Sequence, residues 1–201
     1  MVNIAIFASG SGSNAENLMQ HFVGNNKVKI SWIVTNKEDA GVVQRANKFR
    51  KGVQIISRYA LENTTEKFIE FLKLEKVDLI ILAGFLLKIP EKLVVAFPMR
   101  IINIHPALLP NYGGKGMYGM HVHNAVIAAG EKESGITVHF VNEEYDKGEI
   151  ILQEKCFISK EDTPETLANK IHELEYKFFP LAVEQVIERI ENEKIKVDET
   201  H

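Results

Sequence analysis

Short apolar runs alternate with longer amphipathic segments along the first half of the chain, and this alternation constrains the fold more than any other feature. The apolar runs have the length and continuous hydrophobicity of strands buried on both faces. Predicted strands cover residues 2–8, 29–35, 53–57, 77–83 and 101–104. Predicted helices between them cover residues 14–23, 40–51, 64–75 and 90–97. The sequence therefore predicts an α/β fold with a Rossmann-like, mostly parallel sheet flanked by helices.

Two more strands are predicted in the second half of the chain. Residues 135–141 and 149–158 are apolar runs close in sequence, so we expect them to join the sheet as antiparallel additions. A length of 201 residues suits one domain, and we expect a single domain over residues 1–201. The polar tail at residues 194–201 is expected to fray.

A long C-terminal helix is predicted over residues 163–193. Asp162 or Thr163 should cap its N-terminus, and Pro164 suits the first turn because the amide hydrogen that proline lacks is not needed there. Pro180 lies inside the pattern and should bend the helix or split it in two.

Composition excludes some classes of partner. A formal charge of −3 gives no electrostatic reason to expect nucleic acid binding. No apolar run approaches the ~20 residues that span a bilayer, and no secretory signal is recognisable, so a cytoplasmic location without membrane partners is expected. The single Cys156 lies in an apolar strand-like run, and we interpret it as a buried structural thiol.

The segment 103–110 contains groups suited to chemistry at a carbonyl carbon. Asn103 and His105 are two residues apart at the end of an apolar run, so their side chains should point to the same side of a strand. An amide can donate a hydrogen bond to an oxyanion, and an imidazole can transfer a proton near neutral pH. Pro106 and Pro110 then make a helical continuation improbable, so the chain should leave the strand as a loop.

A serine- and glycine-rich segment at residues 9–14 follows the first predicted strand. Such a loop can gather backbone N–H groups around a phosphate at the N-terminus of the next helix. A tight turn in which Ser13 or Asn14 merely caps the helix explains the same pattern equally well.

An acidic loop follows the predicted strand 135–141. If Asp146 reached His105, its charge would favour the imidazolium and raise the pKa of the histidine. Spacing alone favours a simple hairpin turn at residues 146–148. It also favours His139 as a hydrogen-bonded structural residue rather than a ligand.

Taken together, these motifs resemble the folate-dependent formyltransferases, and within that family the branch that formylates glycinamide ribonucleotide. The matching segments are residues 10–14, 82–85, 103–110, 134–141 and 146–148. The resemblance implies direct transfer of a formyl group from 10-formyltetrahydrofolate, as cosubstrate, to the amine of glycinamide ribonucleotide in de novo purine biosynthesis. It implies no covalent enzyme intermediate.

The resemblance also implies roles for particular residues. Asn103, His105 and Asp146 match the family's catalytic trio: the first two would stabilise the oxyanion, and the carboxylate would keep His105 charged. Gly12, Ser13 and Asn14 would bind the substrate phosphate.

Glu175 matches a residue that contacts the ribose. The folate would lie along two segments and contact Leu86, Leu87, Lys88, Ile89, Asn103, Asn142, Glu143, Glu144, Tyr145 and Asp146.

The chain departs from the family pattern around the folate tail. Leu86 and Leu87 stand where many relatives have Met-Arg, and no arginine occurs at residues 64–65. Lys88 or Arg58 is therefore expected to meet the tail carboxylate.

The loop at residues 111–120 has four glycines. It could be a mobile lid in which Lys115 meets the phosphate, or a tolerated surface insertion. His121 and His123 could share a strand face, but no acidic or cysteine partner stands at metal-ligand spacing, so no metal is expected.

Two other functions fit parts of the sequence. A hydrolase of the formyl donor would share the catalytic residues but leave the phosphate loop unused. A noncatalytic nucleotide-binding module would use the sheet and the glycine loop only. The expected partners are small molecules, and the chain should be a monomer or a homodimer.

Overall fold

The computed structural model describes residues 1–198, with side chains through residue 196. Its centre is a seven-stranded sheet in the order β3-β2-β1-β4-β5-β6-β7. The strands are β1 Val2–Phe7, β2 Val28–Thr35, β3 Gly52–Ile55, β4 Leu79–Leu82, β5 Ile101–His105, β6 Glu133–Phe140 and β7 Ile150–Phe157. Strands β1 to β5 are parallel, and β6 and β7 are antiparallel to their neighbours. The predicted α/β class and the antiparallel additions are confirmed.

Helices cover both faces of the sheet. They are α1 Ser13–His21, α2 Gly41–Lys48, α3 Arg58–Asn63, α4 Thr65–Leu74, α5 Glu91–Ala96, α6 Met120–Ala128 and α7 Pro164–Asp198. Side chains of β1 alternate between two cores: Ile4 and Ile6 pack with α1, α2, α6 and α7, whereas Ala5 and Phe7 pack with α3, α4 and α5. Burial on both faces explains why the central strands are continuous apolar runs.

Helix α7 begins as the sequence predicts, because the backbone N–H of Thr166 donates to Thr163 Oγ1 at 3.3 Å. The helix continues through Asp198, so the first part of the tail at residues 194–201 is helical and not frayed. Residues 199–201 of that tail lie outside the described residues.

Pro180 does not split α7, so that part of the prediction is wrong. A proline leaves the carbonyl four residues earlier without its helical partner. Here the Tyr176 carbonyl accepts a hydrogen bond from Asn17 Nδ2 of α1 at 2.9 Å instead. Phe179 and Val183, on either side of the proline, are fully buried. Tertiary packing and a substitute donor therefore compensate for the missing N–H.

Helices α3 and α6 were not predicted. Ser57 Oγ caps α3 by accepting from the Ala60 N–H at 3.1 Å, a signal that the sequence did offer. The expectation that His121 and His123 share a strand face is wrong, because both lie in α6 and residues two apart on a helix face different directions.

Cys156 is only partly buried, which corrects its interpretation as a core residue. It lies on β7, the last strand in the sheet order, where fewer elements can cover it. Burial, the largest influence, raises the pKa of its thiol. Within residues 1–198, no helix combines the length and the apolar character needed to cross a membrane.

Candidate active site

A cleft of about 960 Å³ opens at the carboxyl ends of β1, β4 and β5. This is the edge of an open α/β sheet where ligands bind, because the loops that follow parallel strands meet there. Every residue assigned to the site from the sequence lines it: Gly12, Ser13, Asn14, Leu86, Leu87, Lys88, Ile89, Asn103, His105, Asn142, Glu143, Glu144, Tyr145, Asp146 and Glu175. The fold therefore brings together segments that are far apart in the chain.

Asn103 and His105 lie at the C-terminal end of β5 and line the cleft, as the strand periodicity predicts. His105 is 3% exposed. Its Nδ1 lies 3.7 Å from Asp146 Oδ2, and its Nε2–H donates to the Tyr112 carbonyl at 2.8 Å. Because a carbonyl can only accept, the neutral ring holds its proton on Nε2 and turns its Nδ1 lone pair toward the carboxylate.

The sequence did not reveal that a second buried histidine contacts the same carboxylate. His139 Nε2 lies 3.6 Å from Asp146 Oδ1, and His139 Nδ1–H donates to the Phe140 carbonyl at 2.8 Å. In the neutral ring, His139 Nε2 is then the acceptor of a hydrogen bond from Asn103 Nδ2 at 3.1 Å. The interpretation of His139 as a hydrogen-bonded residue agrees with these contacts, and its ring also fixes the orientation of the Asn103 amide. Asn103 and His139 are directly opposite in the β5–β6 pair, and this pairing depends on a register that sequence periodicity does not give.

Burial lowers the pKa of His105 overall, although Asp146 acts in the upward direction that the sequence predicts. Burial is the largest influence and disfavours the imidazolium, while Asp146 opposes it and raises the pKa. For Asp146, burial alone would raise the pKa, but the contacts with His139 and with the Gly114 N–H, together with the charge of His105, lower it overall. The carboxylate therefore stays ionised beside a histidine that is neutral at neutral pH.

Asp146 does more than form a turn between β6 and β7. It adopts φ of 54°, in the left-handed region, and its Oδ2 accepts from the Gly114 N–H at 2.8 Å. A non-glycine residue in this region costs on the order of 1 kcal/mol or more, so the surrounding contacts must hold it. Gly148 cannot be replaced without rearrangement, because a Cβ there would lie 1.7 Å from the Phe140 carbonyl oxygen.

The glycine-rich loop at the start of α1 leaves the helix N-terminus uncapped by any described side chain. Gly12 is the N-cap residue at φ of 76°, and a Cβ at this position would lie 2.5 Å from Val42 Cβ. The hypothesis that Ser13 or Asn14 merely caps the helix is wrong, since Asn14 Nδ2 donates to Glu175 Oε2 at 2.9 Å. Free N–H groups at a helix N-terminus are suited to binding a phosphate.

Glu175 joins this loop to α7. It is 6% exposed, and its Oε2 also accepts from His172 Nδ1 at 2.9 Å. That hydrogen bond is the largest influence on His172 and raises the pKa of its imidazole. A buried carboxylate with two donors is fixed in place next to the glycine-rich loop.

The other end of the cleft is more apolar. Leu87 and Ile89 are buried, and Lys88 Nζ lies 5.3 Å from the centre of the Tyr145 ring, in the range of a cation–π contact. Arg58 also lines the cleft, and its Nη1 lies 3.5 Å from Glu62.

Several polar residues that line the cleft were not assigned to the site from the sequence, among them Asn36, Lys37, His123, His139 and His172. Asn36 and Lys37 directly follow β2, so their position at the carboxyl edge was the signal that could have identified them. His172 lies one helical turn before Glu175, a weaker signal.

The loop after Pro110 forms part of the cleft wall, which does not support its interpretation as a mere surface insertion. Residues 114–119 line the cleft, and Lys115 is among them. The loop is tied to both catalytic candidates through the Tyr112 carbonyl and the Gly114 N–H. Among the described residues, no group of three or more His, Cys, Asp and Glu side chains is arranged to hold a metal ion.

A doubly wound sheet carries a histidine, a carboxylate and an amide in one partly apolar cleft. This arrangement defines an α/β enzyme suited to group transfer at a carbonyl carbon. The chain matches the model of the formyl transferase family over residues 2–183 and belongs to that family, which confirms the resemblance noted from the motifs.

Relatives match over nearly the whole chain. The chloroplastic phosphoribosylglycinamide formyltransferase of Arabidopsis thaliana is 40% identical over 198 residues, and the match covers 96% of this chain and 66% of that protein, slightly less than two thirds. Phosphoribosylglycinamide formyltransferase of Bacillus subtilis is 37% identical over 191 residues, covering 93% of this chain and 95% of that protein. The crystal structure of phosphoribosylglycinamide formyltransferase from Anaplasma phagocytophilum has a TM-score of 0.84 at 33% identity, covering 94% of this chain and 88% of that chain.

Proposed function

We propose that this protein transfers the formyl group of 10-formyltetrahydrofolate to the amine of glycinamide ribonucleotide, a step of de novo purine biosynthesis. The products are formylglycinamide ribonucleotide and tetrahydrofolate. The names of the relatives support this proposal. The observation that carries it is the shared cleft, in which the uncapped N-terminus of α1 and the buried Glu175 lie at one end and the Asn103, His105 and Asp146 side chains line the same wall.

The reaction makes one bond and breaks one. The substrate amine attacks the formyl carbon, and the carbonyl oxygen becomes an oxyanion in a tetrahedral intermediate. The bond from the formyl carbon to the folate nitrogen then breaks, that nitrogen gains a proton, and the attacking amine loses one. No net oxidation or reduction occurs.

Asn103 and His105 would stabilise the oxyanion. The Asn103 amide has one N–H engaged with His139, so its second N–H remains for the substrate. Removing one such donor typically costs about 100-fold or more in kcat.

His105 needs a proton to act as general acid, although burial lowers its pKa. The developing oxyanion adds a second negative charge beside the ring, which raises the pKa during the reaction. Asp146 remains ionised and favours the same imidazolium. Through water, it would also accept the proton lost by the amine.

The substrates would occupy opposite ends of the cleft. The phosphate would bind to the N–H groups at Gly12, Ser13 and Asn14, with Glu175 on the ribose. The folate would lie along residues 86–89 and 142–146, where buried Leu87 and Ile89 suit a flat heterocycle. Lys88 or Arg58 would meet the carboxylate of its tail.

The remaining features of the proposal concern the cell and the assembly. We expect a cytoplasmic enzyme, active as a monomer or homodimer, that uses no metal. The chloroplastic location in the name of the Arabidopsis relative is a property of that protein.

The test is formyl transfer followed by folate absorbance, with and without glycinamide ribonucleotide. Turnover should require the ribonucleotide and fall by about 100-fold or more in His105→Ala. His121→Ala is a matched control, because His121 is in α6 but does not line the cleft.

Two results would contradict the proposal. Consumption of the formyl donor without the amine would indicate a hydrolase. Binding of the ribonucleotide by the wild type without any consumption of the formyl donor would indicate the noncatalytic module.

A further inference from the structure

His123 is a buried polar residue in the cleft that the reaction as described does not use. It lies in α6, is 4% exposed, and lines the cleft beside α7. Its Nδ1 is fully buried and has no hydrogen-bond partner among residues 1–198. A buried polar atom without a partner destabilises the fold, so a residue that carries one usually has a reason to be retained.

The position of the ring proton follows from this burial. Burial is the main influence that lowers the pKa of His123, so the ring is neutral and has one N–H. A proton on Nδ1 would create a buried donor with no acceptor, whereas Nε2 is not sealed in this way. The neutral ring therefore holds its proton on Nε2 and can donate only one hydrogen bond, through that atom.

The surroundings define what could accept that hydrogen bond. Glu175 is close enough for its charge to raise the pKa of His123. Its Oε2 is engaged with Asn14 and His172, whereas no hydrogen bond within the described part of the chain involves its Oε1. His123 and Glu175 both line the cleft, so a donor and an acceptor are both available there.

A hydroxyl group satisfies both partners at once, because it donates to the carboxylate and accepts from the imidazole N–H. A phosphate does not, since it would be repelled by Glu175 and would gain little from a neutral ring. A carbonyl cannot donate to Glu175.

We infer that His123 is a specificity-determining residue that binds a ribose hydroxyl of the substrate together with Glu175. This inference rests on the proposed function and adds to it a selectivity for ribosyl over deoxyribosyl substrates. His123 and Glu175 would clamp the hydroxyl from two helices, α6 and α7.

The test uses the full chain and measures KM and the dissociation constant for glycinamide ribonucleotide and its 2′-deoxy and 3′-deoxy analogues. His123→Phe keeps a ring but removes the donor, and should raise both constants for the ribonucleotide by about 3- to 10-fold, the value of one neutral hydrogen bond. KM for 10-formyltetrahydrofolate and the pH profile of kcat should not change. His121→Phe, on the same helix but outside the cleft, is the matched control.

Rescue and discrimination separate binding from a structural role. Gln can place its amide nitrogen near the position of His Nε2, so His123→Gln should restore binding, while the shorter side chain of His123→Asn should not. The wild type should lose affinity for at least one deoxy analogue, and His123→Phe should lose that discrimination. If His123→Phe does not fold, His123→Asn, whose shorter side chain also lacks a donor at the position of Nε2, provides the same comparison.

Unchanged ribonucleotide binding and unchanged deoxy discrimination in His123→Phe would overturn the inference. Equal loss of binding in the Phe, Gln and Asn variants would indicate a packing role and would also overturn it. If the wild type binds the ribonucleotide but transfers no formyl group, the proposed function fails while these binding measurements still decide the role of His123. If the wild type does not bind the ribonucleotide, both proposals are wrong.

Discussion

The two carboxylate oxygens of Asp146 each face a different buried histidine: Oδ2 lies 3.7 Å from His105 Nδ1, and Oδ1 lies 3.6 Å from His139 Nε2. The carboxylate therefore influences two groups at once. It favours the imidazolium of His105, and it lies next to the ring that fixes the Asn103 amide. These four side chains form one network, so changes to them should not be additive.

Asp146→Asn should lower the pKa of His105 further, because it removes the charge that opposes burial. We expect kcat to fall by about 100-fold or more. The pH dependence of kcat and the NMR titration of His105 measure the two effects. Glu149→Gln, an exposed carboxylate outside the cleft, is the control. A His105 pKa that rises in Asp146→Asn would contradict the assigned contact.

His139→Phe should reduce kcat with little change in KM for either substrate. The Asn103 amide loses the acceptor that fixes its orientation, and an oxyanion donor that is free to rotate stabilises the transition state less well. A loss of about 10- to 100-fold is expected, smaller than that of removing the donor itself. The Asn103→Ala substitution should reduce kcat by a smaller factor in the His139→Phe background than in the wild type. Full additivity of the two losses would argue against the coupling.

Gly12→Ala should destabilise the protein and weaken ribonucleotide binding. The added Cβ would lie 2.5 Å from Val42 Cβ, and the alanine would have to adopt the positive φ of Gly12. Gly24→Ala is a matched control, since Gly24 has φ of 75° but open space around its Cβ position. The control should lower the free energy of unfolding by about 1–2 kcal/mol through the backbone conformation alone, and Gly12→Ala should lower it more. Urea unfolding measures both; an equal cost would show that the contact with Val42 relaxes freely.

Stability should decrease as the pH falls below about 6.5, the ordinary pKa of histidine. His105 and His123 have pKa values lowered by burial, so the unfolded state binds protons first and acidification favours unfolding. His172 has a raised pKa and acts in the opposite direction, adding stability below its unfolded pKa that is lost as the pH rises through its folded pKa.

Urea unfolding between about pH 5 and 7.5 measures this dependence. His123→Gln should reduce the acid loss of stability, whereas His172→Gln should increase it. If the pH dependence of the free energy of unfolding changed in the same direction in both variants, the assigned pKa shifts would be contradicted.

The sequence by itself determined the α/β architecture, because strands buried on both faces must be apolar throughout and the helices between them must be amphipathic. It also placed Asn103 and His105 on one side of a strand that ends in a loop, since strand periodicity and the prolines are local properties. It gave no basis for α6, whose histidines and glycine-rich approach lack a clear helical pattern.

Only the tertiary structure decided how these local parts act on one another. It brought Asn14 to Glu175, which are 161 residues apart, and His139 to Asp146 through the pairing of β5, β6 and β7. It kept α7 continuous at Pro180 through a donor from another helix. It also decided the net direction of the His105 pKa shift, because burial outweighs the upward influence of Asp146 and a sequence shows which charges could meet but not how much water is excluded around them.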